Sequence, residues 1–445
     1  MAWLGLISCV RIGRVHADSV DVHPRAELAR ADDPFEDAAR EVGSRFGAAW
    51  GTTVKGGRGM TVRRGDAVDG RDRPRGGVGD PDLDRDGARR GGLPAASASS
   101  TCTTSPGPTP SPPTPPSAAV PSSASLPPEP DMQIGLLTDS LSAMTRAEAF
   151  DTAAALGVDT VEIGLGGSHG GWSPAPHADL AELLTDPAAR DTLRRDITSR
   201  GLRLEAFNAA GNPLHPVDGA RDDRVLRGAI QLSEEFEIGT VVTMSGLPAN
   251  PGDTFPAWIT TVWPPENLRL LEHQWTVAID YWGALADEAH RHGVKVAVEM
   301  HANQLVYSVP GLLRLRAAVG DTVGANFDPS HLLWMGADPI AAIAALEGAI
   351  HHVHAKDTRI EARAAVTSRL ETIPNERTDE RAWNYVAVGS GHPDGVAFWT
   401  RFVAALRAAG YDGPLSIENE DYTLGQRESV ALAVDTLHKA LAATG

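Results

Sequence analysis

Glu299, Asp328, His354 and Glu418 each stand at or just past the end of a short apolar run, in "KVAVE", "VGANFD", "IHHVH" and "PLSIE". Three carboxylates and an imidazole brought to one point repel and are costly to strip of water unless a cation lies between them. Hard oxygens with one nitrogen and no thiolate suit Mn2+ first, and Mg2+ or Co2+ next, rather than a structural zinc. One divalent ion held this way keeps about two positions open for other oxygens. An ion chelating the carbonyl and adjacent hydroxyl of a hydroxy-ketone stabilises the enediolate and so acidifies the neighbouring C–H. Glu299 and Glu418, on separate strands and kept ionised, are then the expected catalytic bases that remove and return the proton.

Strands must carry these groups. In "HVHAKD", residues 352–357, side chains alternate, so His352, His354 and Lys356 share one side. From Gln133 onward, "QIGLLTD", "TVEIGLG", "LRLEAFNA", "TVVTMSG", "KVAVEMH", "VGANFDP", "IHHVHAKD" and "PLSIENE" alternate with amphipathic helical stretches, several ending at glycine. Eight strand–helix units over about 310 residues predict a (β/α)8 TIM barrel. A doubly wound sheet would place a Gly-rich turn after its first strand, where "LLTDSLSAMT" has none. The barrel puts its active site at the C-terminal strand ends, where Glu162 and Glu205 also fall.

The barrel accounts for residues 132–445. Residues 1–131 have a different composition: no aromatic residue occurs between Trp50 and Phe150, and the stretch ends in "SPGPTPSPPTPPSAAVPSSASLPPEP". Such a chain buries too little apolar surface to offset its ordering entropy, which predicts a disordered, low-complexity segment. Two readings of it stay open: a flexible tail, or upstream sequence with Met132, directly before the first strand, as the natural start. The whole chain holds 40 Lys and Arg and 58 Asp and Glu; residues 1–131 take 16 and 17, leaving 24 and 41. That acidic balance argues against nucleic acid as a partner. No apolar run from residue 132 reaches the ~18 residues of a membrane span. Both cysteines, Cys9 and Cys102, lie outside the barrel, which suits a cytoplasmic protein.

"VAVEMHAN", "ANFDPSHLLWMG", "HHVHAKDTRI" and "SIENED" together resemble the sugar phosphate isomerase/epimerase family of xylose isomerase-like barrels, over Gln133 to the C-terminus. The resemblance implies one divalent metal on Glu299, Asp328, His354 and Glu418, and a substrate contact at His331. By position it also implies sugar contacts at Glu162, Arg359 and His215. Lys356, on the same strand side as His354, is expected to orient a substrate oxygen or ligating carboxylate, or to pair with Asp357 or a barrel acid. The expected reaction is isomerisation or epimerisation of a sugar or keto-sugar. Loss of a leaving group from the same intermediate would make the protein a lyase or dehydratase, and a non-catalytic metal- or sugar-binding homologue is a further alternative. Barrels of this family often form homo-oligomers. His354 and Glu418 are 64 residues apart, against 29 and 26 for the preceding ligand intervals. The surplus is expected to form a loop over the substrate, with Trp383 and Tyr385 as its aromatics.

Overall fold

The computed structural model describes residues 132–167 and 175–445, together with the backbone of three short parallel-paired strands, Ala2–Ile7, Ala26–Asp32 and Ala49–Gly51. The chain divides into two units, residues 1–116 and 117–445. The remainder of the segment expected to be disordered lies outside the described residues. His169 and Trp172 also lie outside the described residues.

In the second unit, apolar runs of four to seven residues form β1 (Ile134–Leu137), β2 (Thr160–Gly164), β3 (Arg203–Ala209), β4 (Thr240–Met244), β5 (Lys295–Glu299), β6 (Val323–Phe327) and β7 (Ile350–Ala355). The chain then makes an antiparallel ribbon, β8 (Asp357–Ile360) with β9 (Trp383–Val386), before β10 (Leu415–Ile417). Strands β1 to β7 and β10 close into a parallel barrel in chain order, with β10 between β7 and β1. All eight predicted strands are barrel strands. The surplus after His354 includes the β8–β9 ribbon, whose Trp383 stacks on Trp334 with ring centroids 4.7 Å apart and whose Tyr385 packs against His331.

Strand alternation sorts the side chains into two environments. One face of the strands, including Ile134, Leu136, Val161, Ile163, Val296 and Val298, packs under the helices against Trp282, Trp399 and Phe402, and all of these are buried. The lumen is different. Ala206, Val242 and Ala297 form a small separate apolar cluster there, while Glu162, Asn208, His352, His354 and Ser416 meet in hydrogen bonds across it. A bulge in β3 adds one more acid. Leu204 pairs with Val161 and Ala206 with Glu162, leaving Glu205 unpaired between them. Its carboxylate enters the space that a Cβ on Gly135 would need, so a larger residue at that point of β1 would force Glu205 to move.

Candidate metal centre

Each of the four expected ligands is held by the element that ends at it. Glu299 is the last residue of β5, and Glu418 directly follows β10. Asp328 follows β6 and is the N-cap of the helix Pro329–Met335: its Oδ1 accepts the Ser330 N–H at 2.7 Å. Capping uses one oxygen and leaves Oδ2 for the site. His354 lies on β7, with Nδ1 3.0 Å from Glu418 Oε2 and 3.3 Å from Glu299 Oε2. One ligand atom from each of the four side chains lies within 4.8 Å of all the others. Asp328 and His354 are fully buried.

A divalent cation fits this arrangement. Asp328 Oδ2 and Glu418 Oε2 are buried and face cationic side chains, the first 3.3 Å from His331 Nε2 and the second 3.0 Å from His354 Nδ1 and 3.3 Å from Lys356 Nζ, and a metal ion would meet the same need for positive charge. Three oxygens and one imidazole nitrogen are the donor set that Mn2+, Mg2+ or Co2+ prefers.

Without a cation, protons supply the compensating charge. Burial disfavours the charged form of Glu299, but His331 and His354 outweigh it and hold the carboxyl well below its ordinary range. Asp328 is lowered against burial mainly by His331. In return, the His331 imidazole, opposed by burial, is pushed up to about 9 by Asp328 and Glu299. His354 is raised well above its ordinary value against burial, chiefly by Glu162 and Glu418. Glu418 is the exception. Burial raises it despite Lys356 and His354, which makes it the most readily protonated of the three acids.

A second ring of groups stands above the four. His331 Nε2 lies 3.0 Å from Glu299 Oε1, and the Tyr385 hydroxyl lies 2.9 Å from His331 Nδ1. Lys356 Nζ sits 3.1 Å from Glu420 Oε1, 3.3 Å from Glu418 Oε2 and 4.5 Å from the Tyr385 ring centre. The His301 ring packs 4.1 Å from that of His331, and burial together with His331 lowers its pKa to about 3. His301, Trp334, Trp383, Tyr385, Asn419 and Glu420 line a cleft of about 700 Å3 that opens over this ring.

Three expected substrate contacts are placed elsewhere. Glu162 is fully buried beneath His354, where its oxygens take hydrogen bonds from lumen side chains and none faces the cleft. His215 serves a turn: its Nδ1 accepts the Val217 and Asp218 N–H groups, and it lies 3.6 Å from Asp218 Oδ2. Arg359 is directed by the ribbon to a different cleft, where its Nε donates to Glu361 at 2.7 Å. The physical reason is common to all three: proximity in sequence to a strand end does not specify which way the side chain leaves the backbone. Glu205, a weaker candidate, is also off the site, bonded to the Thr160 hydroxyl low in the lumen.

The structure also brings in residues that the sequence reading passed over. Asn326 Nδ2 lies 3.0 Å from both Glu299 Oε2 and His354 Nδ1. Asp139 follows β1 and is pushed up to about 7 by burial and by the nearby Glu162 and Glu418 charges. The strand-end criterion that selected Glu162 would have selected Asp139 too.

Comparison with known proteins agrees with this architecture. The uncharacterized protein YfiH of Bacillus subtilis (strain 168) is 43% identical over 317 residues, covering 70% of this chain and 99% of that protein. The inosose dehydratase of Geobacillus thermodenitrificans (strain NG80-2) is 28% identical over 154 residues, 34% of this chain and 48% of the dehydratase. Among solved structures, the xylose isomerase domain protein from Planctomyces limnophilus superposes with a TM-score of 0.48 at 17% identity, over 70% of this chain and 97% of that one. The family model described as xylose isomerase-like TIM barrel matches residues 150–439, and with a closed eight-stranded barrel in place the chain belongs to that family.

Proposed function

We propose that the protein is a divalent-metal-dependent isomerase or epimerase acting on a sugar or keto-sugar. The observation that carries this reading is the convergence of Glu299, Asp328, His354 and Glu418 beneath an open, polar and aromatic cleft. These four would hold the ion, with Mn2+ favoured by the donor set. When bound, such an ion supplies Lewis-acid activation of a carbonyl.

The chain's own residues do the rest. Glu418 and Glu299 come from well-separated strands and flank the approach to the site, so one takes the C–H proton on a carboxylate oxygen and one returns a proton at the neighbouring carbon or on the other face. Burial raises the Glu418 carboxyl in the metal-free site, and a bound cation would oppose that shift and keep it ionised. His331 Nε2 and Lys356 Nζ present donors to substrate oxygens, and the Trp383–Trp334 stack gives the cleft an apolar wall.

The dehydratase relative favours a second reading, in which the same proton abstraction is followed by loss of a β-hydroxyl. One experiment separates the two. The protein, metal-stripped and reloaded with Mn2+, is incubated with a panel of keto-sugars and keto-polyols in deuterated water. Deuterium incorporation with conserved composition supports the isomerase or epimerase; a product lighter by one water supports the dehydratase. Neither outcome across the panel, with the metal bound, points to a binding homologue.

A further inference from the structure

We propose that Glu162 is a positioning residue for the metal centre: it holds the His354 ring so that Nδ1, and not Nε2, is the ligand. This rests on the reading of Glu299, Asp328, His354 and Glu418 as the cation's ligands. The two ring nitrogens of His354 face opposite ways. Nδ1 looks up, toward Glu418 Oε2 at 3.0 Å and Glu299 Oε2 at 3.3 Å. Nε2 looks down the lumen onto Glu162, 3.0 Å from Oε2 and 3.2 Å from Oε1. A histidine that ligates through one nitrogen commonly donates the other N–H to a carboxylate, which sets the tautomer and makes the ligating nitrogen more basic.

Glu162 is itself held in place, as such a role requires. Oε1 accepts the Asn208 amide at 2.8 Å, and Oε2 accepts the Ser416 hydroxyl at 2.7 Å and lies 3.0 Å from His352 Nε2. With His354 these make four donors from strands β3, β7 and β10, matching the roughly four lone-pair sites of a carboxylate. No capacity is left over for a substrate, and the side chain has no exposure. Glu162 and two histidines lie close enough to suggest a second cation site, but a cation there would have to displace donors that already saturate the carboxylate. The strand pairing supports the arrangement: β2 and β7 are not neighbours in the barrel, so Glu162 reaches His354 only across the lumen.

The test is a titration of metal-stripped full-length protein with Co2+ at fixed pH, read by calorimetry and by the visible absorption of the bound ion. Wild type, Glu162→Gln, Asp222→Asn and Glu418→Gln are compared. Asp222→Asn is the control, a buried carboxylate on the helix Gly219–Phe236 that accepts the Asn212 N–H. The expected result is about one Co2+ per wild-type chain, with Kd raised about 10- to 100-fold in Glu162→Gln and a shifted absorption band. Asp222→Asn should keep both the wild-type Kd and band. Should Glu162→Gln fail to fold, Ser416→Ala removes only one anchor of Glu162 and is expected to weaken Co2+ several-fold with the band shifted in the same direction. Wild-type affinity and spectrum in Glu162→Gln, or in Ser416→Ala where that variant replaces it, overturn the proposal while the four-ligand reading stands. Two ions per wild-type chain, with Glu162→Gln losing one, also overturn it. No Co2+ binding by wild type, or undiminished binding by Glu418→Gln, overturns the ligand reading and this proposal with it.

Discussion

His354 shows how much the position of one proton decides. With no cation, its imidazolium lies among Glu162, Glu299 and Glu418 and offsets their charge. A cation takes over that task only when Nδ1 gives up its proton. Removing a ligand should therefore act on metal first: Glu418→Gln and Asp328→Asn are each expected to take the bound metal from about one per chain to a small fraction, measured by elemental analysis after dialysis. Activity should fall by about 100-fold or more, since a base and its activating ion are lost together. Asp139 gives a second prediction, with a sign. Its folded pKa of about 7 lies above the ordinary 3.8 because burial and like charges disfavour the anion. The folded state therefore binds this proton more tightly than the unfolded chain does. The associated stability is complete below about pH 4 and is lost as pH rises through 7. In metal-free protein, Asp139→Asn should raise the Tm by several degrees at pH 8 and by clearly less at pH 5, as a calorimetric pH series would record.

At the scale of elements, the β8–β9 ribbon is the departure from a plain barrel. It starts one residue beyond β7, and its return strand brings Tyr385 onto His331 and Trp383 onto Trp334. Asp357 anchors the chain after the turn: its carboxylate accepts the Gly389, Gly391 and His392 N–H groups and the Trp399 indole N–H. These contacts hold the ribbon beside the cleft. Trp383→Ala should accordingly cost about 1 kcal/mol of stability through the lost stacking, and should raise KM more than it lowers kcat. Tyr385→Phe keeps the ring under Lys356 but removes the hydroxyl from His331. Thermal melting should change little while kcat/KM drops, and equal losses of stability and activity would count against a role for that hydroxyl.

For the whole molecule, the described apolar core runs from Met132 to Leu441 and closes on itself through the β10–β1 pairing. Residues 132–445 expressed alone are expected to fold with the Tm of the full chain and to bind metal with the same stoichiometry and affinity. Loss of either would show that the first 131 residues contribute. The acidic excess in this part, 41 acidic against 24 basic residues, predicts no retention on duplex DNA at about 0.1 M salt, where binding depends on cations that neutralise phosphates. Among the described residues no helix is long and apolar enough to cross a membrane.

What the sequence determined by itself was periodic or terminal in character: eight apolar runs, their alternation with helices, and acids and a histidine at the runs' ends. Strand period and strand-end polarity are local properties, so Glu299, Asp328, His354 and Glu418 could be named without coordinates. The tertiary structure decided what depends on closure. Glu162 looked like a substrate contact by its position in "TVEIGLG", yet the barrel turns it inward beneath His354. Arg359 looked like another, but antiparallel pairing with Asn384 carries it to a different cleft. The 64-residue interval announced an insertion without saying whether it would fold over the site or build its wall. That outcome rests on contacts between residues distant in the chain, such as Tyr385 with His331 and Trp383 with Trp334, which no local pattern encodes.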